Sequence, residues 1–256
     1  MLDQITPLIL TYNEAPNIVR TLESLRWANE IIVVDSFSTD DTAKIAASFP
    51  NVRIVQRAFD SHRNQWQFGL KETGMHTDWV LALDADYIIT ADLIDELRGL
   101  QPADDTAGYR ARFIYCISGK RLHSGIYPPV TVLYRRASAN YIQDGHTQRV
   151  SPGGRVEGLR APILHDDRKP LRRWFESQKR YTKLEAQKLR AADPAELSRL
   201  DRMRRWPLIV PPLALFYCLI VRAGIFDGWA GFYYAFQRTT AELMLSLYLI
   251  ENRRSN

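Results

Sequence analysis

The sequence predicts an α/β fold, a doubly wound sheet followed by a helical extension, and three observations carry that expectation. Apolar runs at residues 7–10, 31–34 and 79–83 have the length and β-branched content of strands buried on both faces, as in a parallel sheet. Stretches with helical spacing separate the runs, giving a β-α-β-α-β alternation with right-handed crossovers. Near residue 168 the chain turns basic, amphipathic and then strongly apolar, which divides it into an α/β domain, 1–168, and a helical extension, 169–256.

The elements follow in order. Residues 17–28 place Ile18, Leu22 and Leu25 on one helical face, and residues 39–48 form a second helix with Ser38 and Thr39 as candidate caps. A short strand at 52–55 and a helix at 63–72 lead to the run at 79–83. Beyond it come a helix at 91–100, strands at 108–117 and 130–134, and a hairpin closed by Ser151-Pro152-Gly153-Gly154. Residues 170–200 read as a basic amphipathic helix.

At 46% hydrophobic and 25% charged, the composition is that of a globular protein and too polar for a multi-span membrane protein. The net charge of +5 is unevenly spread. Residues 1–159 carry 16 Lys/Arg against 19 Asp/Glu, whereas residues 160–205 carry 14 against 7, a net of +7 just before the most apolar part of the chain. Cys116 and Cys218 belong to no Cys-x-x-Cys pattern, so buried inert thiols are expected rather than a disulfide framework or zinc site. The first residues lack the basic segment and long apolar stretch of a signal peptide, which points to the cytoplasm.

In a doubly wound sheet the ligand crevice lies beyond the carboxyl ends of the strands. The polar groups ending the three runs should therefore converge there: Thr11-Tyr12-Asn13-Glu14, then Asp35 through Asp40, then Asp84-Ala85-Asp86. Two carboxylates one residue apart at the end of a buried strand repel each other and resist ionisation unless a positive charge joins them. Magnesium or manganese, bridging to a diphosphate, would supply it. No Gly-x-Gly-x-x-Gly or Gly-x-x-x-x-Gly-Lys loop follows a strand, which argues against a dinucleotide oxidoreductase and a P-loop ATPase. The bland alternatives are that Asp35, Ser38 and Asp40 cap the second helix and that Asn13 and Glu14 open the first.

Taken together, Leu10-Thr11-Tyr12-Asn13-Glu14, the run from Val33 to Thr42, and Leu83-Asp84-Ala85-Asp86 resemble family 2 glycosyltransferases of the GT-A fold, a Rossmann-like doubly wound mixed sheet. Within that family the chain looks most like the bacterial lipopolysaccharide-core β-1,4-glucosyltransferase group, over roughly residues 4 to 190. The resemblance implies an inverting transfer from a nucleoside diphosphate sugar, UDP-linked, to a lipopolysaccharide-core or lipid-linked polysaccharide acceptor. It implies that residues 1–168 form the nucleotide-sugar-binding and catalytic domain. Thr11, Asn13, Glu14, Asp35 and Asp84 would bind the donor, while Asp84 and Asp86 would hold Mg2+ or Mn2+. His165, in Ile163-Leu164-His165-Asp166, resembles a downstream histidine near the metal and diphosphate.

Two departures matter. The basic residue and asparagine expected before the third strand fall at Trp66-Gln67 in the best register, while Arg63-Asn64 lies three residues earlier, so Arg63 and Gln67 are alternative donor contacts. Where the related group has Val-His-Glu, this chain has Gly145-His146-Thr147. Inversion needs a base to take the acceptor proton, and Asp144, with His146 as its substitute, is the candidate.

Residues 206–221 carry no charge, but Pro207, Pro211 and Pro212 interrupt them, and bilayer spanning needs about 20 apolar residues. An interfacial segment is expected, with residues 170–256 meeting the inner face of the bacterial inner membrane through apolar contact and basic charge. A helical cap on the enzyme core is the alternative. Two further classes compete with the transferase reading. A sugar nucleotidyltransferase would place a Gly-rich loop with a basic residue after the first strand, where Thr11-Tyr12-Asn13-Glu14 stands instead. A non-enzymatic membrane or nucleic-acid-binding module would leave the acidic strand ends unexplained, and no nucleic-acid partner is expected.

Overall fold

The structure, a computed structural model, describes the chain except residues 145, 146, 194, 196, 255 and 256, and the side chains of 143, 144, 147–149 and 252–254 also lie outside the description. The protein divides into two compact units, Met1–Gly119 with Tyr127–Arg168, and Lys120–Ile126 with Lys169–Asn256. Nothing in the sequence signals that Lys120–Ile126 belongs with the second unit.

The first unit opens with β1 (Ile5–Thr11), α1 (Ile18–Glu23), β2 (Ile31–Asp35), α2 (Thr42–Ala47), β3 (Val52–Gln56), α3 (His62–Lys71) and β4 (Trp79–Asp84). It continues through β5 (Tyr87–Ile89), α4 (Ala91–Gly99), β6 (Thr106–Ala111) and β7 (Phe113–Ile117), and the two-residue β8 (Lys120–Arg121) falls in the second unit. Then come β9 (Val130–Arg135), β10 (Asn140–Asp144), β11 (Thr147–Ser151), β12 (Arg155–Gly158) and β13 (Ile163–His165).

The main sheet has the order β12-β6-β9-β4-β1-β2-β3. Strands β3, β2, β1 and β4 are parallel, and β9 enters antiparallel between β4 and β6, so the sheet is mixed. Both faces are apolar because alternate side chains point to opposite sides. Ile9, Ile31, Val33 and Leu83 pack with Ile18, Leu22 and Leu25 from the α1 region and Leu93 and Leu97 of α4. Leu8, Ile32, Val34 and Val80 pack with Trp66 and Leu70 of α3. Leu8 also takes the space that a side chain at Gly69 would need, which draws α3 close to β1. Truncating Leu8, which is fully buried, to alanine costs about 2–5 kcal/mol.

Three expected elements differ in the structure. The stretch 108–117 is two strands, β6 in the main sheet and β7 in a small sheet with β13 and β5. The turn at 151–154 leads from β11 to β12, which joins β6 in parallel, while the hairpin is β10 with β11, paired from Asn140↔Ser151 to Asp144↔Thr147. Ser38 and Thr39 do not cap α2. That helix starts at Thr42, and the Ser38 hydroxyl donates to Asp35 instead.

The second unit contains α5 (Leu171–Ala191), α6 (Arg199–Arg204), α7 (Val210–Phe216), a π turn at Tyr217–Val221, a 3-10 turn at Gly224–Asp227, and α8 (Trp229–Arg254). Pro211 and Pro212 sit in the first turn of α7, where no intrahelical amide donor is needed, so they start a helix rather than break one. Ala186 and Leu189 of α5 pack on Leu245 and Leu249 of α8. Polar groups are buried alongside. Arg204 lies 2.7 Å from Glu242 and 3.6 Å from Glu185. Asp227 accepts from the Ser124 amide and hydroxyl and from the His123 amide, which ties Lys120–Ile126 into this unit. At Gly231 a side chain would collide with the Gly224 carbonyl, so the turn closes tightly on α8. Cys116 and Cys218 are both buried and are not joined to each other.

Candidate functional site

Strand register brings the polar run ends together. Thr11 pairs with Asp35, Asp35 with Gln56, and Leu10 with Asp84, so the carboxyl ends of β1 to β4 finish side by side. This follows from apolar runs of similar length in β1, β2 and β4, each of which ends in a polar side chain at its carboxyl end.

Asp35 is fully buried, yet its carboxylate is richly bonded. It accepts from Thr11 Oγ1 at 3.2 Å, the Ser38 amide at 3.0 Å, the Ser38 hydroxyl, and Gln56 Nε2 at 3.2 Å. A buried carboxylate is tolerable only with such donors. Asn13 adopts a left-handed backbone (φ 56°), a conformation asparagine accepts more readily than most residues. Its amide donates to Ser38 Oγ at 2.8 Å, and its Oδ1 accepts from the Thr39 amide at 2.7 Å. The Glu14 amide donates to Thr42 Oγ1 at 2.7 Å, and the Glu14 carboxylate accepts from Asn17 Nδ2 at 2.9 Å. Thr11, Asn13, Glu14 and Asp35 therefore form one connected wall linking the loops after β1 and β2.

On α3, the residue reaching this wall is Gln65. Its Nε2 donates to Ser36 Oγ at 2.9 Å, and its Oε1 accepts from Arg57 at 2.6 Å. Gln67 turns instead to Asn140 of β10, at 3.0 Å, and Arg63 is exposed. Gln65 and Arg57 carry no motif of their own, and only the register of α3 against β2 reveals them.

The second cluster forms where β13 runs antiparallel to β5, pairing His165 with Tyr87. That pairing brings His165 Nε2 to 3.2 Å from Asp86 Oδ2, across 79 residues of sequence. Tyr87, Tyr115 and Tyr127 each meet the imidazole edge-on, with ring centroids 5.2, 4.8 and 5.0 Å away. Burial pulls the imidazole pKa down, but the facing Asp86 carboxylate, with Asp84 and Asp167 farther off, outweighs it and raises the value. Burial, reinforced by Asp84, pushes the Tyr87 hydroxyl well above its ordinary range, so it stays protonated and shares a 2.7 Å hydrogen bond with Tyr127.

Behind this cluster lies a supporting layer that no motif announces. Asp166, almost fully buried, accepts from Arg20, from Arg168 Nε at 2.9 Å and from the Gly119 amide at 3.0 Å. Thr21 Oγ1 donates to the Ala85 carbonyl at 2.7 Å. The first helix thus clamps both Ala85, between the two aspartates, and Asp166, the neighbour of His165.

Asp84 is exposed at the end of β4, Asp86 is 8% exposed, and the Nδ1 of His165 is buried with no hydrogen-bond partner among the described residues. Carboxylate oxygens suit Mg2+ or Mn2+, and an imidazole nitrogen beside them favours the softer Mn2+ of the two. Among the described residues no three His, Cys, Asp or Glu side chains are gathered to hold an ion alone, so diphosphate and water would complete its shell. For the base, the backbone of Asp144 ends β10, while its side chain and all of His146 lie outside the described residues.

A mixed sheet whose parallel strands end in a bonded aspartate and a carboxylate–imidazole pair defines an α/β protein that receives its ligand at the strand ends. The chain belongs to glycosyl transferase family 2, whose family model matches residues 8–151. It is 36% identical over 109 residues to an uncharacterized glycosyltransferase of Rickettsia bellii, covering 42% of this chain and 36% of that one. The match thus spans about a third of that relative's length. A second relative, the lipopolysaccharide core biosynthesis glycosyltransferase LpsC of Rhizobium meliloti, is 26% identical over 246 residues, 89% of this chain and 85% of that one. Among solved structures, the mannosyltransferase PcManGT from Pyrobaculum calidifontis, in complex with GDP-Man and Mn2+, superposes with a TM-score of 0.52 at 16% identity, covering 96% of this chain and 85% of that one. That likeness establishes the GT-A fold.

Proposed function

We propose that this protein transfers a sugar, with inversion, from a UDP-sugar to a lipopolysaccharide-core or lipid-linked glycan, using Mg2+ or Mn2+. The observation that carries this reading is the meeting of two clusters at one set of strand ends, the Thr11–Asp35 wall and the Asp86–His165 pair beside Asp84. The wall offers hydrogen-bonding groups suited to a nucleoside. The pair, with Asp84, offers donors for a cation that would offset diphosphate charge. Family membership favours sugar transfer over nucleotidyl transfer, and the lengthwise match to LpsC supports the acceptor class.

In the reaction an acceptor hydroxyl oxygen bonds to the anomeric carbon as the bond from that carbon to the diphosphate oxygen breaks. The nucleoside diphosphate leaves with the bonding electrons, and a base takes the hydroxyl proton. Asp144 would act as that base with His146 as its substitute, Asp35 and Thr11 would orient the nucleoside, and Asp84, Asp86 and His165 would offer donors to a cation whose shell is shared with diphosphate and water. When bound, the cation stabilises charge on the departing diphosphate.

Incubation with UDP- and GDP-sugars and Mn2+, reading nucleotide release and glycolipid product, tests the reading. UDP-sugar turnover with lipid-extractable product is expected, and release from no donor in the panel would overturn it. Asp144→Asn should lower kcat by about 10²–10⁴-fold with little change in donor affinity. A normal rate there, with a strongly reduced rate in His146→Ala, would move the base to His146.

A further inference from the structure

The second unit has a small apolar core between α5 and α8, yet it also leaves many large apolar side chains on its surface. In α8 the exposed residues up to Ile250 are Trp229, Phe232, Tyr233, Phe236, Leu243 and Leu247, all of them large and apolar or aromatic. Glu242 and Ser246 of the same helix are each only 6% exposed. Their spacing puts the apolar residues on one stripe, about 27 Å long from Trp229 to Leu247. Residues 206–221 repeat the pattern, with Leu208, Ile209, Leu213, Phe216 and Ile220 exposed. Leu208 at 80% and Phe226, in the turn between α7 and α8, at 84% stand farthest into solvent. A water-facing helix pair would carry the opposite pattern, and contiguous apolar surface of this extent marks a site that something nonaqueous covers.

Charge selects the occupant. The second unit carries 18 Lys/Arg against 8 Asp/Glu, a net of +10, while the first carries 16 against 21, a net of −5. On α5, Arg172, Lys179, Arg180, Lys183 and Arg190 are exposed. Two copies joined through this unit would bring like charges together. An anionic lipid surface complements the charge, and its interface accepts aromatic side chains such as Trp206, Trp229 and Phe232. The stripe is one-sided, with the Arg204–Glu242 pair on the protected side, and among the described residues no helix is long and apolar enough to cross a membrane.

We propose that α7, the turn carrying Phe226, and α8 form a docking surface for a single anionic leaflet, lying in its interface with the apolar stripe toward the acyl chains. This deepens the reading that the acceptor is lipid-linked, and it would put the enzyme at the lipid surface where such an acceptor presents its glycan.

Flotation tests it with the full chain and vesicles of phosphatidylglycerol mixed with phosphatidylcholine, against phosphatidylcholine alone. The vesicles carry no glycan, so docking and sugar transfer can fail separately. Binding to the anionic vesicles that weakens with salt is expected. The double variant Leu208→Asp, Phe226→Asp, altering two side chains already in solvent, should lose binding by roughly tenfold or more while keeping its circular dichroism. Should that variant misfold, Lys179→Glu with Lys183→Glu, on exposed positions of α5, should weaken binding to anionic vesicles alone. An intact protein that stays unbound at low salt would overturn the proposal. So would a sedimentation-detected dimer, dissolved by the Leu208 and Phe226 substitutions, without vesicle binding, because a second copy would then be the occupant.

Discussion

Both units bury an apolar core, but they differ in what they leave at the surface. In the first, apolar strands are sandwiched between helices and charge gathers at the strand ends, where Asp35 is buried among donors and Asp84 is exposed. In the second, Glu185, Glu242 and Asp227 are buried among partners while phenylalanines, tryptophans and leucines face outward. Hydrophobic patterning reveals which face of an element avoids water, and it reveals the protein interior only where water is the sole surrounding medium.

Three substitutions probe this contrast, beginning with the largest expected effect. Asp86→Ala should lower transfer by about 10³-fold or more, because a cation that stabilises the leaving diphosphate is worth several kcal/mol. The variant should still fold, as read by circular dichroism, with a melting temperature lowered by loss of the contact that buried Asp86 makes with His165. Near-normal turnover in a folded variant would remove Asp86 from the metal role.

Asp35→Ala should act on both stability and binding. Loss of a donor contact should weaken nucleotide affinity, and a fully buried carboxylate holding Thr11, Ser38 and Gln56 also joins the loops after β1 and β2. Stranding those donors should cost about 1–3 kcal/mol, seen in urea unfolding together with a higher Kd for UDP. A variant as stable as the parent would show that the network contributes nothing beyond the ligand.

Asp227→Asn is expected to have the smallest effect, and a pH-dependent one. Burial alone would raise the Asp227 pKa, but hydrogen bonds donated by Ser124 and His123 bring it down to about 2. A carboxylate depressed in the folded state stabilises above its unfolded value, near about 4. That contribution should fade as pH falls from about 4 toward 2. Thermal melts should show the parent losing its advantage over the variant across that window, and a constant difference would contradict the assignment.

Much of the first unit was legible because strands buried on both faces leave continuous apolar runs that end where polar residues begin. That rule located Thr11, Asp35, Asp84 and Asp86 at the sheet edge. Helix limits were less legible. The α2 region opens with Ser38, Thr39 and Asp40, whose side chains are good caps, yet Ser38 bonds to Asp35 and Thr39 to Asn13. The small sheet left too faint a trace, since β5 and β13 have three residues each, too few to show alternation. His165 was therefore marked by family resemblance alone, and its contact with Asp86 depends on strand pairing that local sequence does not encode. The Arg20–Asp166 pair and Gln65 stayed hidden for the same reason. Each is an ordinary polar residue on a helix or loop until the fold supplies its partner. In the second unit, the prolines read as helix breakers because their position relative to the helix start was unknown.

The central claim is that the acidic strand ends receive a nucleoside diphosphate together with a divalent cation. Calorimetric titration of UDP into the protein, with Mn2+ and again after chelation, tests it most directly. Without the cation, Asp84 and Asp86 face the diphosphate as like charges, so affinity is expected to fall by at least about tenfold, on the order of 1.4 kcal/mol. Equal affinity in the two titrations would contradict the claim.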